Sequence, residues 1–576
     1  KGEEIPCFAL TGPEAGSDAG AMTDNGIICR GMFEGKEILG MRLNWNKRYI
    51  TLAPVATVLG LAFKLYDPDH LLGKKTDIGI TCALIPTHTP GITIGRRHFP
   101  LNCAFQNGPT QGKDVFVPVD WIIGGPEMAG QGWRMLMESL ATGRALSLPS
   151  TVTGGAKAAV YACGAYTRIR KQFGLSISRF EGVEEVLARI GGFAYITEAV
   201  RVMTVAAVAR GEKPAVLSAI SKYETTELSR RIGNDAMDLH GGKGICLGPH
   251  NYLGRSYQEL PIGITVEGAN ILTRNMIIFG QGAIRCHPFI LAEIYAAKDT
   301  DEKRSLLTFD RLLFQHLGFI ISNKARAFLL GLNDGYFAKT PVGLHKRYYQ
   351  HLTRLSAAFA FMADVAMILI GADLKRRERL SARLADVLSM LYLASAVLKY
   401  FDYQGKHTED SPFVAWACQY AFYTAQQRLD GLLRNFPYRW VAPILRWVIF
   451  PLGKRFAPPK DALGHQIARL LSSSTSSWQR LYEGIYVAPT EHNPLGLLGI
   501  VLEKVIAVED IEKRLTRARK AGQVVGITLE ERIASALAAQ LMTVAEAEQL
   551  RDAEAARRSV IAVDDFAPND LIREKE

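Results

Sequence analysis

The residues with the most chemical potential are a glycine-rich loop, a few isolated arginines and one acid. The stretch ALTGPEAGSDAG, Ala9 to Gly20, sets the hydroxyls of Thr11 and Ser17 beside backbone opened by Gly12, Gly16 and Gly20. Such a loop can present a concave run of N–H donors to a phosphate or a ligand carbonyl. Standing alone it is more often a turn. It is not a G-x-G-x-x-G fingerprint, and no such fingerprint follows a strand and opens a helix elsewhere in the chain, so Rossmann-type nucleotide binding has no support. Arg144 in ATGRALSLP and Arg170 in IRKQFG are candidate anion ligands, because a planar guanidinium grips phosphate or carboxylate in a bidentate fashion. The local alternative for Arg144 is a helix-surface arginine without a partner. Glu267, followed by Gly268 in ITVEGANILTRN, is the candidate base. A carboxylate within hydrogen-bond reach can remove a carbon-bound proton when a dry pocket raises its pKa. By itself, a Glu before a Gly reads as a solvated loop residue.

These residues need elements to position them. From Pro6 to about Val119, short β-branched runs (Ile27-Ile28, Ile78 to Ile85, Ile92 to Ile94) alternate with turn pairs such as Asn25-Gly26 and Pro90-Gly91. The pattern is that of a β-rich domain. After Trp121 the period changes: Val183, Val186, Leu187, Ile190, Phe193, Ile196 and Val200 recur at the spacing of one buried helix face. A break at Gly211 to Pro214 precedes a second helix, which His240-Gly241-Gly242 should stop near Leu239. Beyond Pro288 further helices are expected over Arg304 to Leu332, Leu344 to Ile370, Ala382 to Tyr400 and Phe413 to Leu433. The charge-dense tail from Ile511 reads as solvated helices ending in a loose terminus.

Composition narrows the class. With 576 residues, 48% hydrophobic and 22% charged, the chain is long enough for two or three packed units and is of ordinary globular character. The net charge of +11 admits an anionic ligand, an anionic membrane surface or nucleic acid. Its basic residues come as short pairs and triplets without aromatic interleaving, so nucleic acid is not expected. The eight cysteines include no Cys-x-x-Cys pair, which points to reduced structural thiols and no metal site. No signal segment is evident, and the opening Lys-Gly-Glu-Glu, without an initiator Met, suggests a fragment. No stretch reaches about twenty uninterrupted apolar residues, and the nearest, Leu355 to Ile370, contains Asp364. Tyr438 to Phe456 interleaves tryptophans and aliphatic residues with arginines and lysines. It suits either a membrane-interface helix or a buried amphipathic helix edged by surface arginines.

Taken in order, these motifs resemble those of the acyl-CoA dehydrogenase family. The loop at Thr11 and Ser17 resembles the family's flavin-binding loop, and Tyr49-Ile50-Thr51 its aromatic-Ile-Thr strand, with Tyr49 replacing the usual Trp. THTPGITIG, VFVPVDWIIGG and the Gly-Gln-Gly-Trp at Gly130 match its middle domain and exit. IRKQFG, with Arg170 and Gln172, resembles the segment that reaches the flavin pyrophosphate of a neighbouring subunit. DLHGGKG resembles the loop on the adenosine-diphosphate half, through Asp238, Gly241 and Gly242, although Asp238 stands where an amide is common. Arg144 falls where the family contacts acyl-CoA, with Ser17 and Gly268 also at the substrate. Glu267 falls at the family's catalytic base. Gly143 leaves no carboxylate at the other position where relatives carry that base, and Ala269 replaces a common flavin-bonding Thr. The resemblance spans nearly 280 residues.

The resemblance implies an α+β fold: a middle β-barrel domain (1–124), a four-helix-bundle catalytic domain (125–288) and a further all-helical C-terminal domain (289–576). It implies FAD-dependent conversion of medium- to long-chain fatty acyl-CoA to trans-2-enoyl-CoA, the first step of β-oxidation, with electrons passing to an electron-transfer flavoprotein. Arg170 reaching a neighbour's flavin implies a homodimer or larger. The helical extension resembles that of the large bacterial fatty acyl-CoA dehydrogenases and implies a cytoplasmic protein working peripherally on the inner face of the inner membrane. The family's N-terminal helical domain is expected to be missing. The rivals are an acyl-CoA oxidase using oxygen and a non-catalytic scaffold with the same fold.

Overall fold

The computed structural model describes residues 2–490 and 492–571. The chain forms two compact units, Lys1–Arg144 with Pro261–Leu272, and Ala145–Leu260 with Thr273–Glu576.

The first unit is built on seven strands: β1 (Pro6–Ala9), β2 (Asn25–Phe33), β3 (Lys36–Thr51), β4 (Val58–Tyr66), β5 (Asp77–Pro86), β6 (Ile92–Thr93) and β7 (Asn107–Pro118). Their order is β1-β4-β2-β3-β7-β6, with β5 paired to β4. Glu34-Gly35, both at positive φ, close the β2–β3 hairpin between paired Phe33 and Lys36, as a two-residue turn of matching twist requires. Alternating residues Met41, Leu43 and Trp45 of β3 meet Leu59, Leu61 and Phe63 of β4 and Val115 and Val117 of β7 in one buried core. Each such large side chain contributes about 1.5–3 kcal/mol through burial. Register shifts between β3 and β7 at Leu43/Trp45 and Lys47/Ile50 bend the pair and curl the sheet. Asn25-Gly26, expected as a turn, instead begins β2 opposite Asn44 and Leu43. Gly26 is small for packing reasons, since a Cβ there would lie 2.6 Å from the Leu43 side chain and 2.8 Å from that of Phe63.

Helix α1 (Gly132–Ile169) leads into the second unit, followed by α2 (Glu181–Ala209) and α3 (Ala215–His240). The break expected at Gly211 to Pro214 separates α2 from α3, and α3 ends at Gly241, with φ of 54°. Further helices occupy Glu302–Leu332, Lys346–Ile370, Glu378–Tyr403 and Ser411–Arg434, within a few residues of the expected spans. Their apolar faces join α1, α2 and α3 in one large core. Between them, Thr273–Gln281 is π-helical, and its Arg274 makes a bidentate pair with Asp386 at 2.6 and 2.7 Å. The α+β class and the extra helical region are as the sequence led us to expect.

Two further expectations are corrected. Tyr438 to Phe456 is helical only over Ala442–Ile449, with Pro443 near its start and Pro451 just beyond its end. Leu445, Val448 and Ile449 are buried there, while Trp440, Ile444 and Trp447 are exposed. The tail from Ile511 is also more than solvated helix. Glu509–Lys520, Leu529–Ala538 and Val544–Ile561 pack around their own core of Ile511, Leu515, Ile533 and Leu550. Thr528 with Glu531 and Thr543 with Glu546 form reciprocal capping boxes at two of these helices. By length and average composition, helices Glu181–Ala209, Glu378–Tyr403 and the run Lys346–Lys375 are long and apolar enough to cross a membrane. None is an uninterrupted apolar run: Glu198, Asp386 and Asp364 are buried within them.

Candidate active site

In the first unit the glycine-rich loop is held by strand β3. Leu43, Trp45 and Lys47 alternate toward the inside of the sheet, and Lys47 is completely buried. Its Nζ donates to the Leu10 carbonyl at 2.9 Å and pairs with Asp24, whose other oxygen accepts from the Asn46 N–H at 2.9 Å. Burial pulls the Lys47 pKa down and the Asp24 contact opposes that shift. The neighbouring Arg48 donates from its backbone to the Thr11 carbonyl at 3.0 Å and from its guanidinium to Pro13 at 3.2 Å. A Cβ on Gly12 would meet the Asn46 carbonyl at 3.2 Å, so glycine lets the loop lie close to β3. Thr11 is half-buried and Ser17 exposed. Nothing in the local sequence singled out Lys47 or Asp24; the inward register of Lys47 was the available signal.

Tyr49-Ile50-Thr51 ends this strand in a strained conformation, with φ of 62° at Tyr49 and 67° at the following Leu52. The Tyr49 ring is exposed and lies beside the Arg48 guanidinium and the His98 ring, at 5.1 and 5.3 Å. Thr51 is exposed, whereas the Ile50 side chain belongs to the core, which leaves only its backbone for a ligand.

Glu267 lies in the same unit, in the loop between helices Gly254–Thr265 and Asn270–Leu272. Both Glu267 and Gly268 adopt left-handed backbone, with φ of 55° and 93°. For a residue with a Cβ this costs about 1 kcal/mol, and such strain concentrates where a side chain must be aimed. The conformation is secured by Arg144, whose Nε donates to the Glu267 carbonyl at 2.9 Å. Burial lowers the Arg144 pKa against the opposing charge of Glu267. Two residues 123 apart in sequence, each read as a candidate from its motif, are thus joined directly. Chemically, the pair offers a half-buried carboxylate on a fixed backbone.

The remaining candidates lie in the second unit. Arg170 follows α1, and Lys171–Gln172 pairs with Leu175–Ser176 in a small hairpin. Gly241 and Gly242 follow α3, on whose last turn Asp238 is exposed. A buried stack joins the two helix ends: the Tyr166 and His240 rings lie 4.2 Å apart and nearly parallel, and His240 also meets Tyr252. His240 Nδ1 lies 2.8 Å from the Ala236 carbonyl, which requires the proton there, so Nε2 accepts from the Tyr252 hydroxyl at 2.9 Å. Burial pushes the His240 pKa down to about 4. The Arg170 guanidinium has no hydrogen bond or ion pair among the described residues. Its neighbours are engaged by the C-terminal segment: Arg168 and Arg179 by Glu509, and Lys171 by Glu512. On the other loop, Lys243 donates to the Ala562 carbonyl at 2.8 Å, and His250 Nδ1 meets Asp564 at 2.5 Å. None of these long-range contacts had a signal in local sequence.

Elsewhere in the second unit, His287, His316 and Asp364 bring three potential metal ligands within 4.8 Å of one another. His287 Nδ1, however, accepts from the N–H groups of Phe289 and Ile290 at 3.2 and 3.3 Å. Its proton therefore sits on Nε2 and is donated to Asp364 at 2.9 Å. His316 bridges Glu293 at 2.8 Å and Asp364 at 3.2 Å. The arrangement is that of a buried hydrogen-bond network.

Comparison with known proteins places this geometry in context. Three family models match successive parts of the chain: "Acyl-CoA dehydrogenase, middle domain" over residues 7–111, "Acyl-CoA dehydrogenase, C-terminal domain" over 130–280, and "Acyl-CoA dehydrogenase, C-terminal, bacterial type" over 284–566. A 104-residue stretch is 66% identical to Protein HemX of Proteus mirabilis, covering 18% of this chain and 61% of that protein. The human mitochondrial short-chain specific acyl-CoA dehydrogenase is 29% identical over 283 residues, 48% of this chain and 62% of that enzyme. The chain therefore spans 61% and 62% of the length of these two curated relatives. A crystal structure of an acyl-CoA dehydrogenase complexed with FAD from Bacillus anthracis shares the fold. Its TM-score is 0.63 at 19% identity, covering 82% of this chain and 76% of that one.

Proposed function

Because the chain belongs to the acyl-CoA dehydrogenase family, we propose that it is an FAD-dependent oxidoreductase that converts acyl-CoA to trans-2-enoyl-CoA, with Glu267 as the base. The observation that carries the assignment is the left-handed Glu267 backbone secured by Arg144. In this reading Glu267 removes the α-proton of the thioester. Its own N–H is a donor for the thioester carbonyl, where negative charge gathers as the proton leaves. FAD, when bound, supplies the acceptor for the β-hydride. Thr11, Ser17 and the backbone of Tyr49, Ile50 and Thr51 would hold the flavin; Arg170, Gln172, Gly241 and Gly242 would hold the phosphates of a flavin bound by a neighbouring subunit. The donor set fits such a dianion: the hydroxyls of Thr11 and Ser17 form no hydrogen bond among the described residues, and Arg170 has no acidic partner there. Asp238 is the exception in charge, and a guanidinium that senses it, Arg189, is already paired with Asp235 and Glu185.

The test is anaerobic addition of palmitoyl-CoA to the purified flavoprotein. Wild type should lose its flavin absorbance, and Glu267→Gln should do so about 10²–10⁴-fold more slowly. Equal rates would remove Glu267 from the role of base.

The finer points extend this reading. We propose medium- to long-chain substrates, an electron-transfer flavoprotein as acceptor and a homo-oligomer; rapid oxygen consumption without that acceptor would favour an oxidase. We also propose that the protein is cytoplasmic and docks peripherally on the inner face of the inner membrane. Helix Glu302–Leu332 exposes Leu306, Leu307, Phe314 and Ile321, and its Phe328 packs on Trp447, which is exposed as Trp440 is. Failure to sediment with anionic lipid vesicles at low salt would sink the membrane proposal.

A further inference from the structure

We infer that the C-terminal segment 509–564 positions the hairpin after α1 and the loop after α3, and that by doing so it sets the affinity for FAD. This inference rests on the function proposed above. The segment reaches both places with complementary charge. Glu509 engages Arg168 at 2.5 Å and also Arg179, so one carboxylate bridges the end of α1 and the far side of the hairpin. Glu512 holds Lys171, the residue next to Arg170. On the second loop, Asp564 accepts from the His250 backbone N–H at 2.8 Å, and the Ala562 carbonyl accepts from Lys243.

The consequence is a selection among cations. Arg168, Lys171, Arg179 and Lys243 are all committed to the segment, and Arg170 between them has no partner among the described residues. One guanidinium is thus left for an external dianion, on a hairpin whose flanks are cross-linked to a helical subdomain with its own core. A single exposed ion pair contributes little, but several that share partners and hold one short hairpin remove much of the ordering cost of binding.

Two effects of the carboxylates oppose each other, and their signs separate the explanations. If they act only through charge, their removal frees three cations and tightens an anionic ligand. If they act by positioning, their removal loosens the hairpin and weakens it. The experiment is FAD titration of wild type and of the double variant Glu509→Gln, Glu512→Gln, with hydrogen exchange read over residues 168–180. The inference requires an FAD Kd raised about tenfold, faster exchange confined to that stretch and an unchanged Tm. Glu530→Gln, which removes an acid that pairs with Arg551 within the same subdomain, should leave the Kd as in wild type. Equal or tighter FAD binding by the double variant overturns the inference while leaving the proposed function intact. Wild type that binds no FAD overturns the proposed function, and the inference with it.

Discussion

The glycine-rich loop of the first unit and the hairpin of the second are held in different ways. The loop is fixed by a wholly buried Lys47–Asp24 pair and by backbone bonds from the adjoining strand, all within about forty residues of sequence. The hairpin is fixed by partly exposed ion pairs to residues more than 300 positions away, with a buried aromatic stack behind it. A buried pair is unscreened and costly to break, whereas exposed pairs respond to salt and exchange easily. The first arrangement gives a rigid cradle. The second makes the hairpin's order depend on a distant part of the chain.

Breaking the cradle should have the largest effect. Lys47→Met leaves Asp24 buried without its cation, and urea unfolding should show a loss of about 3–5 kcal/mol. Adding Asp24→Asn should recover part of it. A Lys47→Met protein as stable as wild type would mean that the pair does not secure the loop.

The stack behind the hairpin gives a pH effect of intermediate size. His240 is held neutral, its pKa pushed down to about 4 from an ordinary value of 6.5. The unfolded chain therefore binds more protons between those values. The contribution is fully present above pH 6.5 and is lost as pH falls toward 4, by on the order of 2–3 kcal/mol. His351, also pushed down to about 4, adds a similar slope. Urea midpoints at pH 7 and 4.5 should differ less for His240→Gln than for wild type; identical differences would exclude His240 as a source.

The smallest effect concerns the ion pairs themselves. Raising salt from 0.1 to 1 M shortens the screening length from about 10 to about 3 Å. Hydrogen exchange over residues 168–180 should accelerate severalfold, with residues 9–20 unchanged. Equal response in both stretches would erase the distinction.

Sequence was most informative where one element satisfies its own pattern. The three- and four-residue spacing from Val183 to Val200 falls within α2, and Glu267 and Arg144, each singled out by its motif, are joined by a hydrogen bond. It was least informative where long-range packing decides. Asn25-Gly26 has the composition of a turn, but Leu43 and Phe63 need the space above Gly26 in a strand. Tyr438 to Phe456 has the composition of one amphipathic helix, but its prolines confine the helix to Ala442–Ile449. Ile511 and Leu515 looked sparse among charges because their partners, Ile533 and Leu550, come from later helices. The link from Lys171 to Glu512 spans 341 residues, and neither partner differs in type from a solvated surface charge.

The loop that receives Asp564 has no side chain at Gly248, where a Cβ would come within 2.4 Å of the Asp564 carboxylate. With φ of 150°, the position also favours glycine on backbone grounds. The extension's seat is therefore defined by shape as well as charge. A single methyl group at residue 248 would act as a wedge, prising the chain's end from the loop while leaving every ionisable group in place.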